Sequence, residues 1–313
     1  MKIKNKMNKK NINISEKIDK FSNSNIVVTD NNLLGDFNKY LEYFKIGFRK
    51  SIEYKSYIIG TLVTPLFMGI FFYYIWEYIF QVKFDTAIKN GSFVGTLSNF
   101  TIGGFTFHEM IVYLVIGLLM NTAKAGDIAD RISEVIKSGD IAIYLCRPVN
   151  FVKSLLADGF GSKILNIVVF FILLLVITKI TGLPYPKISI FILFIVYGFF
   201  LIFFDIIVNV MIGGLSFWLT EIWGVKSSIQ QILWILSGRA LPLTLFPTWI
   251  LSFMKWTPFF YLEFTFASIY LGKLTFGEAI RALSIFIIWI TILIFFMRLL
   301  YRKGFIKLAS FGG

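Results

Sequence analysis

Apolar residues run along the chain in six long stretches, separated by segments that alternate between strongly basic and nearly uncharged. A helix needs roughly 20 apolar residues to cross a hydrocarbon core about 30 Å thick. The pattern therefore predicts an all-α, polytopic membrane protein with six transmembrane helices. We place the spans at Tyr57–Phe80, Phe105–Thr122, Ile164–Ile180, Ile188–Leu219, Ser228–Pro247 (the least regular) and Ile280–Leu300.

The positions of the basic residues predict the orientation of these spans. Of the 31 Lys and Arg residues, 12 precede the first span and 6 lie between the second and third. Cytoplasmic loops are enriched in Lys and Arg, so both termini are expected in the cytoplasm. The net charge of +13 would suggest nucleic acid in a soluble protein. Membrane topology accounts for it here, and no nucleic-acid partner is expected.

The segments around the spans divide the chain further. Residues 1–34 are rich in Lys, Asn and Ser and are predicted to form a disordered cytoplasmic tail. Residues 35–56 combine large aromatic residues on one helical face with basic residues on the other, which is typical of a helix lying in the membrane interface. Residues 57–300 form the predicted transmembrane domain, and 301–313 a short cytoplasmic tail.

The largest predicted cytoplasmic loop, residues 123–163, contains a short amphipathic helix. After it, Gly139 and Asp140 follow Ser138, and the glycine can take a left-handed cap conformation. The apolar stripe of this helix must be buried, either against its own bundle or in a groove on a soluble partner, and we favour the partner. The stripe consists of Ile128, Ile132, Val135 and Ile136.

One acidic residue lies near the centre of the fourth predicted span. Asp205 is followed one helical turn later by Asn209. A charge at that depth costs about 2.5–3.5 kcal/mol on insertion scales, so it should face a helix interface or a wet cavity. A substrate or ion contact and a structural hydrogen bond to a neighbouring span are both open interpretations.

The stretch 232–273 is apolar but interrupted by helix breakers, which leaves segments too short to span. Interrupted backbone at membrane depth is tolerated only inside protein or beside a water-filled cavity. We therefore predict span five followed by short re-entrant helices on the outer side that gate a pathway. Arg239 is expected either to pair with Asp205 or to face solute. The interruptions are Gly238, Pro242, Pro247 and Pro258.

The sequence offers little for chemistry within this chain. Cys146 and His108 are the only residues of their types, so no metal site is expected. No G-x-x-x-x-G-K-[ST] phosphate loop occurs, so this chain cannot bind ATP by that device. We expect no cofactor bound by the chain itself and no catalytic residues.

Two local motifs lie in the cytoplasmic loop and in the interrupted stretch. The first is Ile136-Lys137-Ser138-Gly139-Asp140 with Leu145-Cys146-Arg147-Pro148-Val149-Asn150. The second is Ser237-Gly238-Arg239-Ala240-Leu241-Pro242-Leu243, followed by Phe246-Pro247, Pro258-Phe259 and Leu271-Gly272. Both motifs, and the order of the elements along residues 35–313, resemble the membrane subunits of ABC-2-type exporters, ATP-binding-cassette proteins labelled ABC-2 family transporter proteins.

The resemblance implies a permease without catalysis of its own. Two permeases, identical or related, would sit on two separate ATPase subunits that hold ATP and Mg²⁺. The helix at 127–138 would be the coupling helix that contacts the ATPase, together with Gly139, Asp140 and Arg147. From the residues we further hypothesise that an amphipathic substrate enters along spans one, two and five, where aromatic residues dominate. It would be exported across a bacterial plasma membrane, with Asp205 and Asn209 on the translocation path.

Three other functions remain open from the sequence. An ion-coupled secondary transporter would use Asp205 as its proton or cation site. A lipid-modifying enzyme would need clustered acids, and Asp127, Asp130 and Glu134 form a small cluster in which cations are interspersed. A scaffold without transport activity is the third.

Overall fold

The computed structural model describes residues 33–53, 55–123, 127–141 and 151–311. In these ranges the protein is all-α, with short 3₁₀ turns between some helices and a single isolated bridge in place of any strand. The α-helices are α1 (Leu33–Glu53), α2 (Lys55–Lys89), α3 (Phe107–Ala123), α4 (Asp127–Lys137), α5 (Phe151–Thr181), α6 (Ile188–Gly214), α7 (Trp223–Leu236), α8 (Thr248–Met254), α9 (Glu263–Tyr270) and α10 (Phe276–Phe311).

Five helical stretches of the described chain are long and apolar enough to cross a membrane; they overlap α2, α3 with α4, α5, α6 and α10. They coincide with five of the six predicted spans. The predicted fifth span, Ser228–Pro247, is not one continuous helix. α7 has only 14 residues and ends at Leu236, and the chain then turns before a 3₁₀ segment at Leu243–Leu245. The predicted count of six spans is therefore not confirmed.

Gly238 explains why α7 stops. Its φ is +81°, a conformation that favours glycine. A Cβ atom there would lie 2.8 Å from the Cβ of Phe264 and 2.9 Å from the hydroxyl of Tyr113. The Phe264 amide also donates to the Ser237 carbonyl at 2.9 Å. The end of α7 is thus held against the beginning of α9.

The stretch predicted to be re-entrant contains two short helices, α8 and α9. Every residue of α9 is buried, so this helix lies inside the bundle. Phe266 of α9 stacks on Phe194 of α6 with ring centroids 4.1 Å apart. Tyr270 shares a hydrogen bond with Thr178 of α5 at 2.8 Å. α9 is therefore held on α6 by ring stacking and on α5 by a hydrogen bond.

The N-terminal helix α1 packs closely along α5. A Cβ on Gly47 of α1 would lie 2.2 Å from the Asp158 carbonyl oxygen, and one on Gly161 of α5 would lie 2.1 Å from that of Phe44. Any larger residue at either position would force the two backbones apart. The two glycines therefore allow α1 to cross α5 at backbone contact.

At both ends of the chain, the observed helices extend into the segments that were predicted to be tails. α1 begins at Leu33, two residues before the predicted boundary, and residues 1–32 lie outside the described part of the chain. α10 continues from the last span to Phe311, so most of the predicted tail 301–313 is helical. Tyr301 donates a hydrogen bond to the Val210 carbonyl at 3.0 Å, which anchors this extension on α6.

Candidate functional site

A polar cavity of about 690 Å³ lies among the apolar helices. Its walls come from α2, α3, α5, α6, α7 and the turn that follows α7. Eight of the thirteen lining residues carry amide, hydroxyl or charged side chains, which is unusual between spanning helices because such groups are costly there. The lining residues are Thr64, Pro65, Met68, Leu118, Asn121, Thr122, Lys163, Asp205, Gln230, Gln231, Leu233, Trp234 and Arg239.

Asp205 lies in the wall of this polar cavity, and 8% of its surface is exposed. The side-chain amide of Asn209 donates to the Asp205 backbone carbonyl at 2.9 Å and to its carboxylate at 3.2 Å. Lys163 of α5, also buried, lines the same cavity. Asp205 was expected to face either a helix interface or a wet cavity. The structure places it in the wall of the polar cavity, where Asn209 orients its carboxylate.

Arg239 pairs with Glu263, which the sequence analysis did not single out. The guanidinium donates to the Glu263 carboxylate at 2.8 Å and to the side-chain carbonyl of Asn121 at 2.6 Å. The side chains of Arg239 and Glu263 are only 9% and 2% exposed. Glu263 is the only acidic residue between Glu221 and Glu278. A buried acidic residue that is isolated in such an apolar stretch needs a partner. Its isolation could therefore have marked Glu263 as a candidate partner of Arg239.

Gly117 of α3 makes room for the Arg239 side chain. A Cβ at Gly117 would lie 3.0 Å from the Cγ of Arg239. Nearby, the hydroxyl of Tyr113 donates to the Gly238 carbonyl, again linking α3 to the turn after α7. α3 and this turn together position the guanidinium between the polar cavity and the buried carboxylate of Glu263.

The three prolines predicted to gate the pathway all precede or begin short helical segments. Pro242 and Pro247 occupy the N-cap positions of the 3₁₀ turn Leu243–Leu245 and of α8, and Pro258 begins another 3₁₀ turn. None of them is among the residues that line the polar cavity. Their evident role is to fix backbone direction, because proline sets φ and suits the first turn of a helix.

An apolar groove adjoins the polar cavity. It has a volume of about 340 Å³, lies between α2, α3 and α5, and shares Pro65 with the cavity. Isoleucine, leucine and tyrosine side chains dominate its walls, including Tyr73, Tyr74 and Ile177. Together the two spaces offer a polar compartment next to an apolar one.

The apolar stripe of α4 is buried within this chain. Ile128 and Ile132 have no exposed surface and Ile136 is 7% exposed, while Val135 is half-buried. Ile128 approaches Gly159 of α5 so closely that a Cβ there would lie 2.6 Å from its Cδ1. The three isoleucines therefore fill the core of their own chain, and the predicted contact of this helix with an ATPase stays a prediction.

The exposed parts of α4 are its polar face and the turn after it. Ion pairs join Lys226 to Asp130 and Lys137 to Glu221, which ties this face to α7 and to the residues before it. In the turn, the Ser138 hydroxyl donates to the Asp140 carboxylate at 2.8 Å.

Gly139 takes the left-handed conformation predicted for it, with φ of +81°. Gly139 and Asp140 are both exposed. Arg147 lies outside the described residues.

Asp158 connects α4 to α1, a role that no motif in the sequence indicates. Its carboxylate is buried and forms ion pairs with Arg131 of α4 and, at 3.4 Å, with Lys50 of α1. One acid near the beginning of α5 thus balances two cations from two helices. Only the fold brings these three residues together, since they are far apart in the sequence.

The comparisons with known proteins identify the family. The family model described as ABC-2 family transporter protein matches residues 91–312. This match covers more than half of the chain, so the chain belongs to the ABC-2 family of transporter proteins and is a membrane transport component. The comparison with curated proteins gives no match.

Proposed function

We propose that this chain is a permease subunit which, with a second permease and a separate ATPase, exports an amphipathic molecule across a bacterial plasma membrane. Membership of the ABC-2 family supports the permease role. The observation that carries the proposal is the polar cavity beside the apolar groove. A molecule with a polar and an apolar part matches both compartments at once.

The lining of the polar cavity supports a solute path rather than a purely structural interior. A structural interior between spanning helices is normally filled with small or apolar side chains, because unsatisfied polar groups are costly there. Here Gln230, Gln231 and Asn121 line an open volume together with Lys163 and Asp205. Such groups can exchange hydrogen bonds with water and then with a substrate.

Coupling to the ATPase would use the exposed turn after α4 rather than its apolar stripe. The buried isoleucines hold α4 on the bundle: Ile128 packs against α5, and a Cβ on Gly213 of α6 would lie 2.7 Å from the Cβ of Ile132. A push on Ser138–Asp140 would therefore be transmitted to two spans that wall the polar cavity. This is the physical requirement for a movement that opens and closes the path.

The experiment that tests the proposal is purification of the tagged chain from its native membranes in mild detergent. The co-purifying proteins are identified and ATP hydrolysis is measured. We expect a subunit that carries a phosphate loop. Asp140→Arg should lose both this subunit and the ATPase activity without lowering the thermal stability of the permease. Asp85→Arg, an equally exposed reversal at the far end of α2, is the matched control.

Two outcomes would contradict the proposal. One is recovery of the chain without any ATPase from membranes that retain its function. The other is an unchanged complex in Asp140→Arg, which would remove the turn after α4 from the contact.

The second candidate function is ion-coupled transport, and the burial of Asp205 in the polar cavity favours it. In that case transport would persist when the ATPase is inactivated and would stop when an ionophore collapses the ion gradient. Asp205→Asn would abolish the ion dependence. ATP-dependent transport that is insensitive to the ionophore would exclude this candidate.

A further inference from the structure

A narrow slot of about 200 Å³, separate from the polar cavity, lies between α5, α6 and α10. Its lining residues recur at helical spacing on each helix, so one face of each contributes. Six of them are apolar, and the remaining three are Lys153, Arg298 and Tyr301. The apolar residues are Val152, Leu156, Phe203, Ile207, Ile294 and Met297.

Two cations lie at the rim of this slot, and no acidic residue is among its lining. The side chains of Lys153 and Arg298 are both exposed. Lys153 lies over the ring of Tyr40 of α1, with its Nζ 5.8 Å from the ring centre. The slot therefore has apolar walls and a cationic mouth, which is complementary to an anion attached to a hydrocarbon chain.

The slot lies at the end of the bundle that carries α4. Gly213 and Gly214 are adjacent in α6; a Cβ on the first would meet Ile132 of α4, and one on the second would meet Tyr301 of the slot. By the distribution of basic residues this is the cytoplasmic end. The cytoplasmic leaflet carries the anionic lipids, and basic pockets between spans on that side bind their head groups.

The size of the slot narrows the choice of occupant. Pockets for drug-sized molecules are about 300–1,000 Å³, so this slot is too small for one. It can hold part of a single acyl chain while a head group stays at the mouth. The transported molecule would instead need the larger, more polar cavity on the other side of α6.

We propose that this slot binds an anionic phospholipid, with an acyl chain between α5, α6 and α10 and the phosphate between Lys153 and Arg298. The lipid would fill the gap between the beginning of α5 and the end of α10. It would thereby support the helices on which α1 and α4 pack. The proposal does not depend on which molecule the protein transports.

The test is native mass spectrometry of the full chain, with any subunits that co-purify, titrated with phosphatidylglycerol or phosphatidylcholine. We expect retention of phosphatidylglycerol at concentrations where phosphatidylcholine is not retained. Lys153→Gln with Arg298→Gln should weaken this binding by about fivefold per charge removed, or about 25-fold together. The matched control removes an exposed Arg and Lys elsewhere on α10, as Arg281→Gln with Lys303→Gln.

A third variant separates the slot from general attraction to a basic surface. Leu156→Trp fills the slot and leaves both cations in place, and it should also lose phosphatidylglycerol. Circular dichroism and size-exclusion chromatography verify that each variant is folded. Equal binding of the two lipids, equal loss in the control, or full binding by Leu156→Trp would each overturn the proposal.

Discussion

The ion pair between Arg239 and Glu263 gives the sharpest test of the fold around the polar cavity. Glu263→Gln keeps the size and the hydrogen-bonding oxygen of the side chain but removes its charge. The guanidinium, only 9% exposed, is then left without its carboxylate partner. Removing one partner of a buried ion pair costs about 3–5 kcal/mol, because the remaining charge is uncompensated.

The matched control is an exposed ion pair of the same protein. Glu221 pairs with Lys137 at 3.0 Å, and its side chain is 83% exposed. Glu221→Gln should cost no more than about 1 kcal/mol, since water solvates both groups and weakens their attraction. The two substitutions make the same chemical change and differ in burial.

The assay is thermal unfolding of the purified chain in lipid nanodiscs, followed by tryptophan fluorescence. Glu263→Gln should lower the unfolding midpoint on the order of 10 °C, and Glu221→Gln by far less. Arg239→Gln should resemble Glu263→Gln. The double variant should be more stable than the sum of the two losses implies, because it removes both charges.

Two results would refute this reasoning. If Glu263→Gln unfolds at the same temperature as Glu221→Gln, the pair does not stabilise the fold. If the two losses simply add in the double variant, the residues do not interact and Arg239 has another partner in solution.

Three further predictions concern backbone and core positions. Gly238→Ala should lower the unfolding free energy by more than about 1–2 kcal/mol, because the left-handed backbone is strained and the new Cβ clashes with Phe264. The control is Gly91→Ala, where φ is +63° and the surrounding space is open, so only the backbone strain applies. Ile132→Asp should abolish the yield of monodisperse protein, since it places a charge in the core, whereas unchanged yield would show that α4 is not packed as described. Asp158→Asn should increase amide hydrogen exchange in both α1 and α4. If exchange increases in neither helix, Asp158 does not bridge them.

Most spans could be predicted from the sequence because the bilayer imposes their length and apolar character. The breaks around 232–273 were also predictable, since Gly238 and the prolines coincide with helix ends in the structure. Whether span five forms one continuous helix could not be predicted, and in the structure it does not. A helix can stop at the middle of a membrane only when other segments satisfy its backbone, and here α9 supplies that partner from further along the chain.

The candidate site was only partly predictable. Periodicity shows that one face of α4 must be buried, but it does not specify the surface that buries it. The sequence also provides two acids as partners for Arg239, and only the fold brings Glu263 to 2.8 Å from it. The sequence around Asp158 does not distinguish it from other acidic residues near the beginning of a helix. Only the fold places the cations of α1 and α4 beside it.

If the polar cavity is a transport path driven by a separate ATPase, its accessibility must change during the ATPase cycle. Cys146→Ser removes the only cysteine, and Gln231→Cys then places a single thiol in the cavity wall. The complex is reconstituted in sealed vesicles, and a membrane-impermeant maleimide is added on either side, with and without ATP and Mg²⁺. We expect ATP to change the side or the rate of labelling at this position, but not at the control Gln81→Cys on the exposed surface of α2. Identical labelling with and without ATP, in a complex that hydrolyses ATP, would contradict it.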